Sequence, residues 1–225
     1  KQTTILIGSG ASICGAAAVI AAEPVVKAEA HKVTIAVATV VVFGTIAMLL
    51  YPFLSQLGWL QPWLNAQQYG IYTGSTIHEV AQVVVAGNAV STEVGNTAVV
   101  TKMIRVMMLA PFLLILSFAL TKTSSDNGEK PSFINRVQQV KVPWFAFIFI
   151  LVVVLHTWIP MTASFEQSMV MLDDVLLTMA MFALGLTTHM SAIKQAGVKP
   201  LILGAIMFTW LIVGGGLINI GIASL

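Results

Sequence analysis

The sequence lacks most of what a soluble domain is built from. Only 9% of its 225 residues are charged, against roughly a quarter in an ordinary globular domain. A single cysteine, Cys14, excludes an intrachain disulfide and a cysteine zinc cluster, and reads as a small packing residue. Lys and Arg outnumber Asp and Glu by 11 to 9, and a net charge of +2 gives no footing for nucleic-acid binding. The chain has neither a His-Glu-Xaa-Xaa-His nor a Gly-Xaa-Gly-Asp stretch, the signatures of zinc and intramembrane aspartyl proteases. An intramembrane hydrolase using Asp173 and Asp174, or a metal site drawn from His78, Glu79, His156 and His189, is thus the remotest reading. The adjacent aspartates point about 100° apart on a helix and suit an interfacial helix start, while His156 and His189 lie near helix ends. No enzyme, cofactor or metal is expected.

Apolar residues are what is there. At 57% hydrophobic and a mean hydropathy of +0.91, the chain reads as an all-α polytopic membrane protein forming one membrane domain over 1–225. Residues 33–54 form the plainest span, free of charge and ending at Tyr51-Pro52, with Tyr51, Trp59 and Trp63 suited to an interfacial belt. Further spans are expected over 96–120, 144–159, 168–190 and 201–223. Residues 121–142, with Lys122, Lys130, Arg136 and Lys141, form a polar extramembrane loop. The chain opens on Lys1, with neither an initiator Met nor a signal pattern, so it is expected to be the C-terminal part of a longer transporter.

Residues 8–22, G-S-G-A-S-I-C-G-A-A-A-V-I-A-A, are apolar enough for a bilayer yet almost wholly small. Gly8, Gly10, Gly15 and, in a second stretch, Gly74 allow a backbone break, and Ser9, Ser12, Ser75 and Thr76 put small polar groups beside it. Laying 10–22 over 74–86 matches Gly10 with Gly74, Ile13 with Ile77, Cys14 with His78 and Ala22 with Ala86. Paired Gly-interrupted segments point to discontinuous or re-entrant helices in a transporter-like bundle with inverted repeats and a site at their interface. The second stretch, 70–90, also carries His78, Glu79, Gln82 and Asn88, costly in lipid unless they face protein or water. Lys102 and Arg105 follow, three apart on one helical face. If 70–90 dips in and returns, Lys27 and Lys32 join the later basic loops on one side of the membrane; if it crosses, the bias is poor.

These motifs, with T-K-M-I-R-V-M-M-L-A-P from Thr101 and A-M-F-A-L-G-L from Ala180, resemble the YeiH-like family of bacterial inner-membrane proteins, described as sulfate exporters. The resemblance covers the whole chain, and implies an inner-membrane location and crossing discontinuous helices. It departs at Glu79, where the family pattern has Asp; the charge is kept and the side chain lengthened by one methylene. The function expected is secondary transport of a small anion, such as sulfate or a related sulfur oxyanion or sulfonate, with proton coupling. Ser9, Ser12, Ser75, Thr76, Lys102 and Arg105 would bind the anion beside helix N-termini. His78 and Glu79 are the proton-coupling candidates, since an imidazole exchanges its proton near neutral pH and a carboxyl taken from water changes its proton affinity. The alternative is a sodium-coupled carrier of a small organic substrate.

Overall fold

The computed structural model describes residues 1–123, 162–187 and 197–224, with isolated helical positions between 148 and 158. The expected span 144–159 as such, most of the loop 121–142, His156 and His189 lie outside the described residues. Among the described residues every regular element is a helix. In order these are α1 (Gln2–Ser12), α2 (Ala16–Val26), α3 (Ala30–Gln56), α4 (Ala66–Thr76), α5 (Val80–Asn88), α6 (Thr92–Met107), α7 (Leu109–Thr123), α8 (Ala163–Thr187) and α9 (Val198–Ala223). Among the described residues, three stretches are long and apolar enough to cross a membrane: Ala30–Gln56, Thr92–Leu120 and Val198–Ala223. The first runs through Pro52 where the sequence suggested an end, and the second joins α6 and α7 across Met108. Asp173 is exposed within α8, well past the helix start where it was expected.

Both Gly-containing segments are interrupted, and each folds back on itself. The first returns because Gln2 at the start of α1 donates to Lys27 O after α2, 2.9 Å, and accepts from Lys32 Nζ at 2.9 Å. Its arms pack closely: a Cβ on Gly10 would lie 2.8 Å from both Val19 and Val40. In the second, Gly70 of α4 and Gly87 of α5 both abut the Val94–Gly95 step of α6, so α4 goes in and α5 comes back. The base of the first hairpin touches the start of α3, whereas Asn65 and Ser91, at the base of the second, share a cavity with Ser55 near its end. The hairpins therefore enter from opposite ends of α3, and their tips meet part-way along it. The three-residue breaks, 13–15 and 77–79, fall at the positions that the sequence alignment paired.

Local chemistry explains the breaks. Gly15 has φ +68° and ψ −130°, a conformation natural to glycine, and it starts α2. The second break uses extended residues instead, Ile77 at ψ 148° and Glu79 at ψ 152°. Just before it, the hydroxyls of Thr73, Ser75 and Thr76 donate back to Tyr69 O and Tyr72 O, taking up carbonyls as α4 runs out. Of the four glycines expected to break helices, only Gly15 does so. Gly8 and Gly10 lie inside α1 and Gly74 inside α4, where a Cβ on Gly74 would run into Ala98 O of α6. The small size of Gly10 and Gly74 serves close helix packing, whereas a Cβ on Gly8 would meet only Met207 Cε at 4.0 Å.

A direct test of the hairpin packing compares two glycines. A Cβ on Gly87 would sit 2.7 Å from Gly95 Cα, while one on Gly221 meets nothing within 4 Å. Gly87→Ala should cost about 1–3 kcal/mol through overpacking against backbone. Gly221→Ala should be neutral or gain up to about 1 kcal/mol from helix propensity, both read by thermal denaturation in detergent.

Candidate functional site

Four cut helix ends converge where the hairpin tips meet, and each needs a partner. The carbonyl ends of α1 and α4 carry partial negative charge, and the N–H ends of α2 and α5 partial positive charge. Helix α6 answers the carbonyl ends. Lys102 Nζ donates to Ile13 O at 3.0 Å, Ile77 O at 2.7 Å and His78 O at 2.6 Å, so all three ammonium hydrogens are used. One turn on, Arg105 Nε donates to Ser12 O at 2.7 Å, Nη1 to Ile77 O at 3.1 Å and Nη2 to Ala11 O. Each cation thus bridges both hairpins. Lys102 is 0% exposed, and burying an unpaired ion costs several kcal/mol, so these charge-assisted bonds are a condition of the arrangement.

Glu79 serves the opposite pair of ends. It is the N-cap of α5, and its Oε1 accepts from Ala16 N at 3.1 Å in the first turn of α2. Gly15 makes that approach possible, since a Cβ there would run into Glu79 Cγ. Gln82, fully buried, accepts the Glu79 N–H at 3.3 Å and donates to Thr45 Oγ1 of α3 at 3.4 Å. His78 is 2% exposed, and its Nδ1 has no hydrogen-bond partner among the described residues.

Several expected ligands are spoken for. Ser9 Oγ donates to Ile5 O, Ser75 Oγ to Tyr72 O, and Thr76 Oγ1 to Tyr72 O while accepting from Tyr51 OH at 2.6 Å. These hydroxyls face their own helices and neighbours. Ser12 differs: it ends α1 at the break with an exposed side chain. Lys102 and Arg105 were expected to hold an anion directly, but Lys102 has no donor left and Arg105 keeps two of its five N–H groups. Tyr51 is also displaced from its expected interfacial place: it is 1% exposed, whereas Trp59 is 72% exposed. Asn219 of α9, which sequence reading passed over, donates to Ser75 Oγ at 3.3 Å and to Gly215 O at 2.8 Å. A lone amide in the apolar 201–223 run was the signal for it. The cavity at the base of the second hairpin, about 230 Å³, is lined by uncharged residues including Gln61, Asn65 and Tyr69, and is separate from the junction. The described residues contain no group of three or more His, Cys, Asp or Glu placed to hold a metal ion.

Two helical hairpins joined tip to tip among membrane-length helices define a polytopic α-helical membrane protein with charged groups held at buried helix ends. The chain belongs to the family described as Conserved hypothetical protein 698, whose model matches residues 1–204. It is 55% identical to the UPF0324 inner membrane protein YeiH of Salmonella typhi over all of this chain and 62% of that protein. It is 54% identical to YeiH of Escherichia coli K12 with the same coverage, and 52% identical to a UPF0324 membrane protein of Pasteurella multocida over all of this chain and 64% of that one. The chain thus spans under two thirds of the length of these relatives. It is a multi-pass inner-membrane protein. No solved structure matches it.

Arg105→Lys tests the clamp. A lysine cannot reproduce a planar fork spread over Ala11 O, Ser12 O and Ile77 O, so acceptors are left bare at about 1–3 kcal/mol each. The variant should insert normally and show a clearly lowered melting temperature in detergent.

Proposed function

We propose that the junction is the substrate site of a secondary transporter for a small anion, with Glu79 and His78 handling a coupled proton. The observation that supports this is a charge count. Among the described residues, Lys102 and Arg105 face a single carboxylate, Glu79, and the two carbonyl ends and two N–H ends offset one another at about half a charge apiece. About one positive charge is left over. An anion neutralises it, whereas a sodium ion adds to it. The sodium-coupled reading is weaker for a second reason: the carbonyls that sodium would need at the breaks already accept from Lys102 and Arg105.

The ionised Glu79 carboxylate sits where an anion would be held, on the free N–H of α2. Substrate and carboxylate therefore compete. Protonation removes the charge of Glu79 and releases Ala16 N–H, so that proton and anion occupy the site together. His78 Nδ1, buried and unpartnered, is a place for the arriving proton or for a donor on the substrate. Gly15 keeps the approach to Ala16 N–H clear of a Cβ, and the Glu79 side chain that fills this space is what an oxyanion would displace. Sulfate, sulfite, thiosulfate and small sulfonates are the first anions to try, in keeping with the family resemblance.

The hairpin dimensions fit re-entrant segments. An 11-residue arm is about 16 Å long, half a hydrocarbon core of about 30 Å, which puts the tips near the midplane. Entry from opposite faces gives an inverted repeat. Lys27 and Lys32 flank the first hairpin's base, and residues 57–65 and 89–91 at the second have no Lys or Arg, so the first base faces the cytoplasm.

The test is anion binding and flux by full-length protein in proteoliposomes across a pH series, with sodium replaced by choline in a parallel set. Anion affinity should rise as pH falls, because protonating Glu79 removes a competitor. Glu79→Gln should bind the anion with no such pH dependence. A sodium requirement, or unchanged pH dependence in Glu79→Gln, counts against the reading.

A further inference from the structure

The environment of Lys102 is that of a bound cation. Its Nζ lies 2.6–3.0 Å from three backbone carbonyls, one from the first hairpin tip and two from the second, with no carboxylate or side-chain hydroxyl bonded to it among the described residues. Unwound carbonyls converging from two broken helices are what membrane proteins use to replace the hydration shell of a free monovalent cation. Here the cation is tethered to α6. The separations exceed the roughly 2.0–2.1 Å of magnesium and lie mostly beyond the about 2.3–2.6 Å of calcium, and suit an ammonium-sized ion. The ammonium also helps hold the tips together, joining Ile13 O of the first to Ile77 O and His78 O of the second.

We propose that the carbonyls of Ile13, Ile77 and His78 form a monovalent-cation site for which the Lys102 ammonium is the resident ligand. Removing the side chain empties a site that free ammonium, methylammonium or potassium then occupies, and the tip-to-tip contact changes from cation-independent to cation-dependent. The transporter reading enters only in one consequence, that the wild-type junction needs no free cation to stay assembled. Binding itself rests on the coordinates.

The experiment is thermal denaturation of full-length protein in detergent, in N-methylglucamine chloride, titrated with ammonium, methylammonium, potassium or sodium chloride. Wild type should respond alike to all of them. Lys102→Ala should melt lower in N-methylglucamine and recover by about 4 °C or more in ammonium or methylammonium, with the saturable concentration dependence of a ligand that binds only the folded state. Lys102→Met, whose stem fills the space without charge, should melt low and stay unresponsive. If Lys102→Ala cannot be recovered, Lys102→Gln goes through the same titration. A Gln variant as stable as wild type would overturn the proposal, because neutral donors would then suffice. So would a folded Ala or Gln variant that is destabilised but indifferent to every cation, or failure of both to fold even in ammonium. No substrate is present, so a wrong assignment of the transported anion cannot alter the outcome.

Discussion

Helix ends cut inside an apolar interior must be neutralised by the protein itself. Water would ordinarily take up the last carbonyls of α1 and α4 and the first N–H groups of α2 and α5, but here side chains do so. Two cations on one face of α6 meet the carbonyl ends, and one carboxylate meets the N–H end of α2. Lys102 and Arg105 are three residues apart, which on a helix places them on the same side and one turn apart in depth. That spacing lets one helix serve both tips at once.

The remaining structure keeps α6 and the tips in register. Small residues let α4 lie against α6 at Gly70 and Gly74, and α5 at Gly87 and Gly95, so Lys102 arrives at the break without a bulky layer between. From the other side α3 contributes Gly44 beside Gln82 and Tyr51 against Thr76, tying the second tip to the span that passes both hairpins. Helix α9 adds Asn219 on Ser75, and accepts from Tyr72 OH at Ile212 O, 2.9 Å. Three of these contacts are hydrogen bonds between groups that would be costly alone in hydrocarbon, so they give the tips a defined position as well as stability.

A site charged this way is poised rather than neutral. On the proposed reading, the surplus of about one positive charge among the described groups would make the junction receptive to an anion. In the proposed transport cycle, protonation of Glu79 would raise that receptiveness, and this is how proton and anion would be coupled. Arg105 contributes mainly by holding the backbone that an anion would meet.

The sequence alone determined the membrane setting, the helical class and the two segments that break. Those follow from composition and from the cost of polar groups in lipid, which are local properties. The breaks were expected at the Gly-Ser steps and fall a few residues later, at 13–15 and 77–79, which are positions that the internal alignment pairs. Tertiary structure decided what those residues do. Gly10 and Gly74 looked like breaks and are packing surfaces, because a glycine needed for space and one needed for its φ read identically in a sequence, and Gly8 only continues α1. Lys102 and Arg105 looked like free anion ligands and are bound to carbonyls, because backbone acceptors have no letter in the sequence and appear only once the two tips are brought together.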